Sequence, residues 1–213
     1  MPSLASLKFE VWNRRLHYYL GLYFLLFLWL FAFTGLLLNH SMWQFAQYWP
    51  ERVETSREAE VTPVTASGDT ERAHAYMQQM GVVGEIDWPA QPQVPGKLEF
   101  AVNQPGNLNR VAVDLKSNQA TVQNIRTNGW GIVNALHTFS GIRFNNPDAD
   151  RDWRLTSLWV FAMDALALGL LVMVFSSYYM WWRFKKNHLL GWLALGTGCA
   201  VCGFFVFGLS SIV

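Results

Sequence analysis

The chain has 213 residues, of which 52% are hydrophobic and only 15% charged, against about 25% charge in a typical soluble domain. Sixteen Lys and Arg balance fifteen Asp and Glu for a net charge of +1, so no basic field exists to bind nucleic acid. Two cysteines cannot build a disulfide framework, and the length leaves room for a few membrane spans and one small domain rather than a large multidomain enzyme.

Residues 1–15 read as a short cytoplasmic N-terminus. From Leu16 the chain runs apolar to Leu38 with no formal charge; 23 residues at about 1.5 Å each cover roughly 34 Å, enough to cross a hydrocarbon core. The run is too long for a signal-peptide core and no A-x-A-like site follows it, so 16–39 is expected to be an uncleaved first span. Two further apolar stretches, 154–182 and 189–213, exceed about 18 residues and are the second and third spans.

Between spans 1 and 2, residues 51–68 read as a linker or irregular extended stretch, rich in Glu, Thr, Pro and Ser. A short helix is expected over 69–81, with Asp69 at a cap-like position and Gly81 at its end. Val82–Trp88 and Lys97–Val102 are strand-like, and Arg110–Leu115 with Ala120–Ile125 read as a hairpin. These parts compose a small α+β module within 40–127. Residues 128–153 hold a helix-spaced segment, 128–141, expected to lie on the membrane interface, and a polar stretch, 145–152. The fold class expected is therefore membrane α-helical, three transmembrane helices with a small external α+β module inserted between helices 1 and 2.

Orientation follows from the cations. Lys8, Arg14 and Arg15 precede the first span, and Arg183, Lys185 and Lys186 fill the loop 183–188, whereas 41–153 carries thirteen acids against nine bases, a net of −4. Short Lys/Arg-rich segments stay cytoplasmic, which places the module and the C-terminus outside. Tyr18, Tyr19, Trp43, Trp49, Trp153, Trp181 and Trp182 lie near the inferred span ends, as interfacial belts do.

Four of five histidines fall into two layers: His17 and His188 at the cytoplasmic ends of spans, His40 and His137 at the outer ends. His74 sits in the module helix and reads as surface. Haem b takes axial imidazoles from separate elements on opposite faces of the ring, and both pairs meet that requirement; Gly21 and Gly191 offer room for a flat macrocycle to approach. The competing reading is that these histidines sit at the interfaces as Tyr and Trp do. His17 and His40 are 23 residues apart, roughly 30 Å along a helix, too far for rapid direct transfer without a bridge. Asp164 falls near the middle of the second span, where a carboxylate costs several kcal/mol unless paired or protonated; helix–helix bonding and a proton or partner role both remain open. Cys199 and Cys202 form C-x-x-C on an apolar helix, a setting that disfavours thiolate and suits close packing beside Gly191, Gly196, Gly198, Gly203 and Gly208.

The order of parts and several local motifs resemble the PepSY-associated transmembrane family over most of the chain. R-L-H-Y-Y-L-G-L (15–22) is similar to its opening His-Arg-x-x-Gly helix, F-T-G-L-L-L-N (33–39) to its Thr-Gly-x-Leu-Leu exit, V-A-V-D-L-K-S-N-Q-A-T-V (111–122) to its module hairpin, and A-L-H-T (135–138) to its Leu-His-Thr signature. Tyr18 replaces the family's usual Arg, many relatives have a fourth span, and no flavin or nicotinamide extension is present. The resemblance implies a bacterial inner-membrane protein with a periplasmic PepSY-like module and, since relatives include haem proteins that reduce ferric siderophores, haem b on His40, His137, His17 or His188. The expected function is a haem b electron-transfer subunit resembling a ferric-reductase-like oxidoreductase, taking electrons from a quinol or inner donor and passing them to a ferric chelate or redox partner. The alternatives are a non-catalytic accessory or assembly subunit, docked on other membrane subunits or on a second copy of itself, and a module that regulates a peptidase.

Overall fold

A computed structural model of the chain describes residues 4–40, 42–89, 93–141, 151–184 and 188–208, with only the backbone described for 4–7 and 184. It forms two compact units, one of Met1–Leu25 with Ala165–Val213 and one of Leu26–Asp164.

Helix α1 (Leu4–Asn39) contributes to both units, as does α4 (Arg154–Phe184). Helix α5 (Leu189–Gly203) lies in the first and continues as a π turn through Phe204–Gly208. Lys8–Asn39, Arg154–Arg183 and Leu189–Gly208 are each long and apolar enough to cross a membrane, and their apolar side chains point outward because lipid, not water, is the surrounding solvent. The basic loop expected at 183–188 lies partly within α4, and its residues 185–187 are outside the described residues, as are 209–213 of the third span.

In the first unit α1 and α4 are knit by polar contacts at their basic ends. Arg183 Nε donates to Glu10 Oε1 at 2.5 Å, and Asn13 Nδ2 donates to the Ser176 carbonyl. Phe9 meets Tyr179 edge-on, ring centroids 5.2 Å apart. Deeper, Phe24 is buried across Gly169, where any Cβ would overlap its ring. Gly21 faces Met173, and Gly191 admits the Trp181 indole. The room expected at Gly21 and Gly191 for a macrocycle is thus taken by side chains.

The second unit holds the α+β module, a five-stranded antiparallel sheet in the order β1-β5-β4-β3-β2. Its strands are β1 (Val53–Glu60), β2 (Glu85–Asp87), β3 (Lys97–Gln104), β4 (Asn107–Asp114) and β5 (Gln119–Arg126). The period-2 alternation turns Leu98, Val113 and Ala120 to one face as a cross-strand row, and Phe100, Val111 and Val122 as the next. Helix α2 (Asp69–Met80) covers that face with Ala73, Tyr76, Met77 and Met80, spaced i, i+3, i+4, i+7. Each large side chain so buried contributes about 1.5–3 kcal/mol. The helix stops at Gly81, whose φ of 64° is the left-handed cap, while Arg57 Nη2 donates to the Met80 carbonyl. Its N-cap is Gly68, one residue before the position expected. Asp114 closes the β4–β5 turn by accepting from the Lys116 and Ser117 amides, which hold its carboxyl below the ordinary value.

Two sequence expectations are corrected. The stretch 51–68 is not all linker: Val53–Glu60 pairs along its full length with β5, from Val53 opposite Arg126 to Glu60 opposite Gln119. Its charged side chains conceal it, because an edge strand needs a ladder partner and not a buried face. Conversely, only Glu85–Asp87 of the expected strand 82–88 joins the sheet. Beyond Asp87 the free edge of β3 is met by a side chain, Gln93, which bonds both the Glu99 amide and the Glu99 carbonyl.

Candidate functional site

Helix α3 (Gly129–Thr138) starts on Asn128, whose Oδ1 accepts from the Trp130 and Gly131 amides at 3.1 and 3.3 Å. Trp130 then packs on Phe33 and Phe45, and two turns later His137 comes down on α1. This contact joins the two sequence motifs. His137 Nδ1 lies 2.6 Å from Thr34 Oγ1, and its Cε1 lies over Gly35, where a Cβ would stand 3.6 Å away. Phe31 flanks the imidazole at 5.1 Å, and Trp159 stacks on Phe31 with its own Nε1 buried and unpartnered.

Thr34 Oγ1 lies within hydrogen-bond distance of three groups, the Leu30 and Phe31 carbonyls and His137 Nδ1. Thr34 is 1% exposed, and its single hydroxyl proton goes to the Leu30 carbonyl at 2.8 Å. With that proton on Leu30, the oxygen accepts from His137 Nδ1–H, and the neutral ring then keeps its lone pair on Nε2. His40 reaches the same state by another route. Its Nδ1 lies 3.0 Å from the Leu36 carbonyl, an acceptor only, so Nδ1 is again the protonated nitrogen. The ring stacks on Trp43 at 4.5 Å. Each imidazole turns to its own partner on α1, and no hydrogen bond or ring contact joins His40 to His137 among the described residues.

The other two histidines are in the first unit and differ in kind. His17 Nδ1 and His188 Nδ1 are both buried without a hydrogen bond. His188 lies between indoles, stacked on Trp182 and edge-on to Trp181, each at 5.3 Å. No described contact joins it to His17.

His74, read as surface, is instead half of a pair. Its Nε2 lies 2.6 Å from Asp152 Oδ1, and the Asp152 side chain is 3% exposed. Asp152 Oδ2 accepts from the Ile86 amide, while the buried Glu85 carboxylate accepts from the Asp152 and Trp153 amides, each at 3.0 Å. Glu85 thereby satisfies free amides at the start of α4, where a carboxylate also suits the helix dipole. The sequence signal that marks this site is an acid immediately before a long apolar helix; its partners, 66 to 78 positions away, leave no local pattern. Residues 142–150, most of the polar stretch, are outside the described residues.

Asp164 is exposed on α4 and has no partner among the described residues. Cys199 and Cys202 are free and exposed on α5. No group of three or more His, Cys, Asp or Glu able to hold a metal ion occurs among the described residues, which leaves imidazoles as candidate axial ligands of a haem iron. Those on His40 and His137 fit that role, since ligating histidines commonly donate Nδ1–H and present Nε2.

Three membrane-spanning helices with an antiparallel α+β module between the first and second define a membrane protein with an inserted PepSY-like domain. The chain belongs to the PepSY-associated TM region family, whose model matches residues 14–207. No curated protein and no solved structure matches it.

Proposed function

We propose that the protein is a haem b electron-transfer subunit of a bacterial inner membrane, passing electrons from a quinol or inner donor to an external acceptor such as a ferric chelate. The carrying observation is that His40 and His137, contributed by separate elements, each set Nδ1 against an oxygen of α1, the Leu36 carbonyl and Thr34 Oγ1, so that a neutral ring donating there keeps Nε2 for a metal. Haem, when bound, supplies one-electron chemistry whose potential is set by its axial imidazoles and their burial. The chain's own part is to orient His137 through Thr34, seat its Cε1 over Gly35, and flank the ring with Phe31. His17 and His188 are the candidate ligands of a second, inner site. The N-terminus faces the cytoplasm and the module the periplasm, following the cation bias.

The test is the visible spectrum of the purified full chain. A reduced haem b band that weakens on His40→Ala or His137→Ala supports the reading; a folded, colourless protein from a haem-sufficient host overturns it.

A second reading, an accessory subunit, is favoured by the lipid-facing surface. None of the most apolar window of the third span is buried within the chain, and Asp164 stands exposed in the second. An unpaired carboxylate at such depth is costly until another helix covers it. Recovery of a stable complex with another membrane subunit, lost on Asp164→Leu, would support this role.

A further inference from the structure

Within the second unit the lower end of the sheet, the end of α1 and one side of α3 enclose a cleft of about 830 Å³. This is within the range of small-molecule sites, roughly 300–1,000 Å³. It lies on the opposite side of α3 from the His137–Thr34 contact: Gly131, Asn134, Ala135 and Thr138 line it, and His137 does not.

Its chemistry is uneven in a way that selects a ligand. Among the described residues that line it there is no lysine or arginine, while Glu85 and Asp87 are both present. Glu85 already spends its oxygens on the Asp152 and Trp153 amides, but its charge still repels anions. The remaining polar groups are neutral and mixed. Asn134 gives its amide N–H to Tyr48 Oη at 3.0 Å, and its Oδ1 is buried and accepts nothing. Tyr48, accepting there, keeps its own hydroxyl proton to donate. Gln104 accepts from Asn107 through Oε1 and holds its amide hydrogens unspent. Leu108, Ile125 and Phe139 supply an apolar wall. Asn134 Oδ1 is sealed from the cleft, so the groups offered to a ligand are the Tyr48 hydroxyl hydrogen and the Gln104 amide hydrogens.

We infer that this cleft binds an uncharged small solute that carries amide or hydroxyl groups on one side and an apolar face on the other. Short peptide segments and saccharides share this chemistry. Anions are rejected by Glu85 and Asp87, and the ligand's oxygens accept from Tyr48 Oη and Gln104 Nε2. This site is independent of the haem reading, since it uses none of the four membrane histidines.

The test is isothermal titration of the full chain in nanodiscs with three probes: an N-acetyl dipeptide amide, a neutral disaccharide, and the same N-acetyl dipeptide as the free acid. Saturable binding of the amide points to a peptide source, of the disaccharide to a saccharide source, and either supports the site provided that the free acid binds at least about tenfold more weakly than the amide or disaccharide. Tyr48→Phe, which keeps the ring and removes the donated hydroxyl, is expected to weaken the bound neutral probe by about tenfold or more. Gln104→Ala, at the cleft wall and away from the core, is the second variant and is expected to weaken it by about threefold to tenfold. No saturation by either neutral probe, equal binding of the free acid, or unchanged affinity in both variants overturns the proposal. Haem absorbance recorded on the same samples keeps this outcome separate from that of the electron-transfer reading.

Discussion

The most constrained side chain near the module is Thr34, because three groups compete for one oxygen. With the Thr34 proton on Leu30, the His137 tautomer is a consequence of helix geometry and not of an external charge. Thr34→Val keeps the shape and removes the acceptor. The His137 Nδ1–H then faces a methyl group, and the expected loss of stability is about 1–3 kcal/mol. Nitrogen chemical shifts should report a single Nδ1–H form in the natural protein and a mixture of tautomers in the variant. A single unchanged tautomer in Thr34→Val would show that something other than this hydroxyl sets the proton. Where haem occupancy is measured, such a supporting contact changes affinity by about 10- to 100-fold, so the two readouts separate orientation from binding.

At the scale of elements, the start of α4 rests on a strand of only three residues. Glu85 and Ile86 of β2 supply two acceptors and one donor to the segment 152–153, and His74 of α2 completes the set. Glu85→Ala removes both acceptors from buried amides and is expected to cost about 2–4 kcal/mol, read as a lowered thermal midpoint and faster amide exchange at residues 152 and 153. Asp87→Ala, two residues away on an exposed position, is the matched control and should change neither by much. Hydropathy alone delimits the three spans, and alternation locates β3, β4 and β5, because burial writes itself into local spacing. It passes over β1, whose V-E-T-S-R-E-A-E is held by backbone pairing at a sheet edge. It also passes over the Glu85–Asp152–His74 set, whose members are joined only by the folded chain. The four membrane histidines are visible as residues at span ends, but their proton positions depend on the Leu30, Leu36 and Thr34 oxygens, which no spacing rule reveals.

For the whole molecule, the membrane does what a protein core does elsewhere. The apolar windows of the three spans are 17%, 11% and 0% buried within the chain, so hydrocarbon or neighbouring helices must supply the contacts that the chain does not. Direction across the bilayer is then decided by charge at the span ends. With Lys8, Arg14 and Arg15 before the first span and a net of −4 over 41–153, the cation bias is expected to retain the N-terminus inside. The expected outcome can be read by labelling intact cells with a membrane-impermeant maleimide. In a Cys199→Ser, Cys202→Ser background, Ser117→Cys places a thiol in the β4–β5 turn of the module, which should react fully from outside. Protection of that thiol in intact cells, with reaction only after lysis, would invert the topology. It would move His40 and His137 to the cytoplasmic layer and remove an external acceptor from their reach, while leaving the Thr34–His137 contact and the amide-lined cleft as they stand.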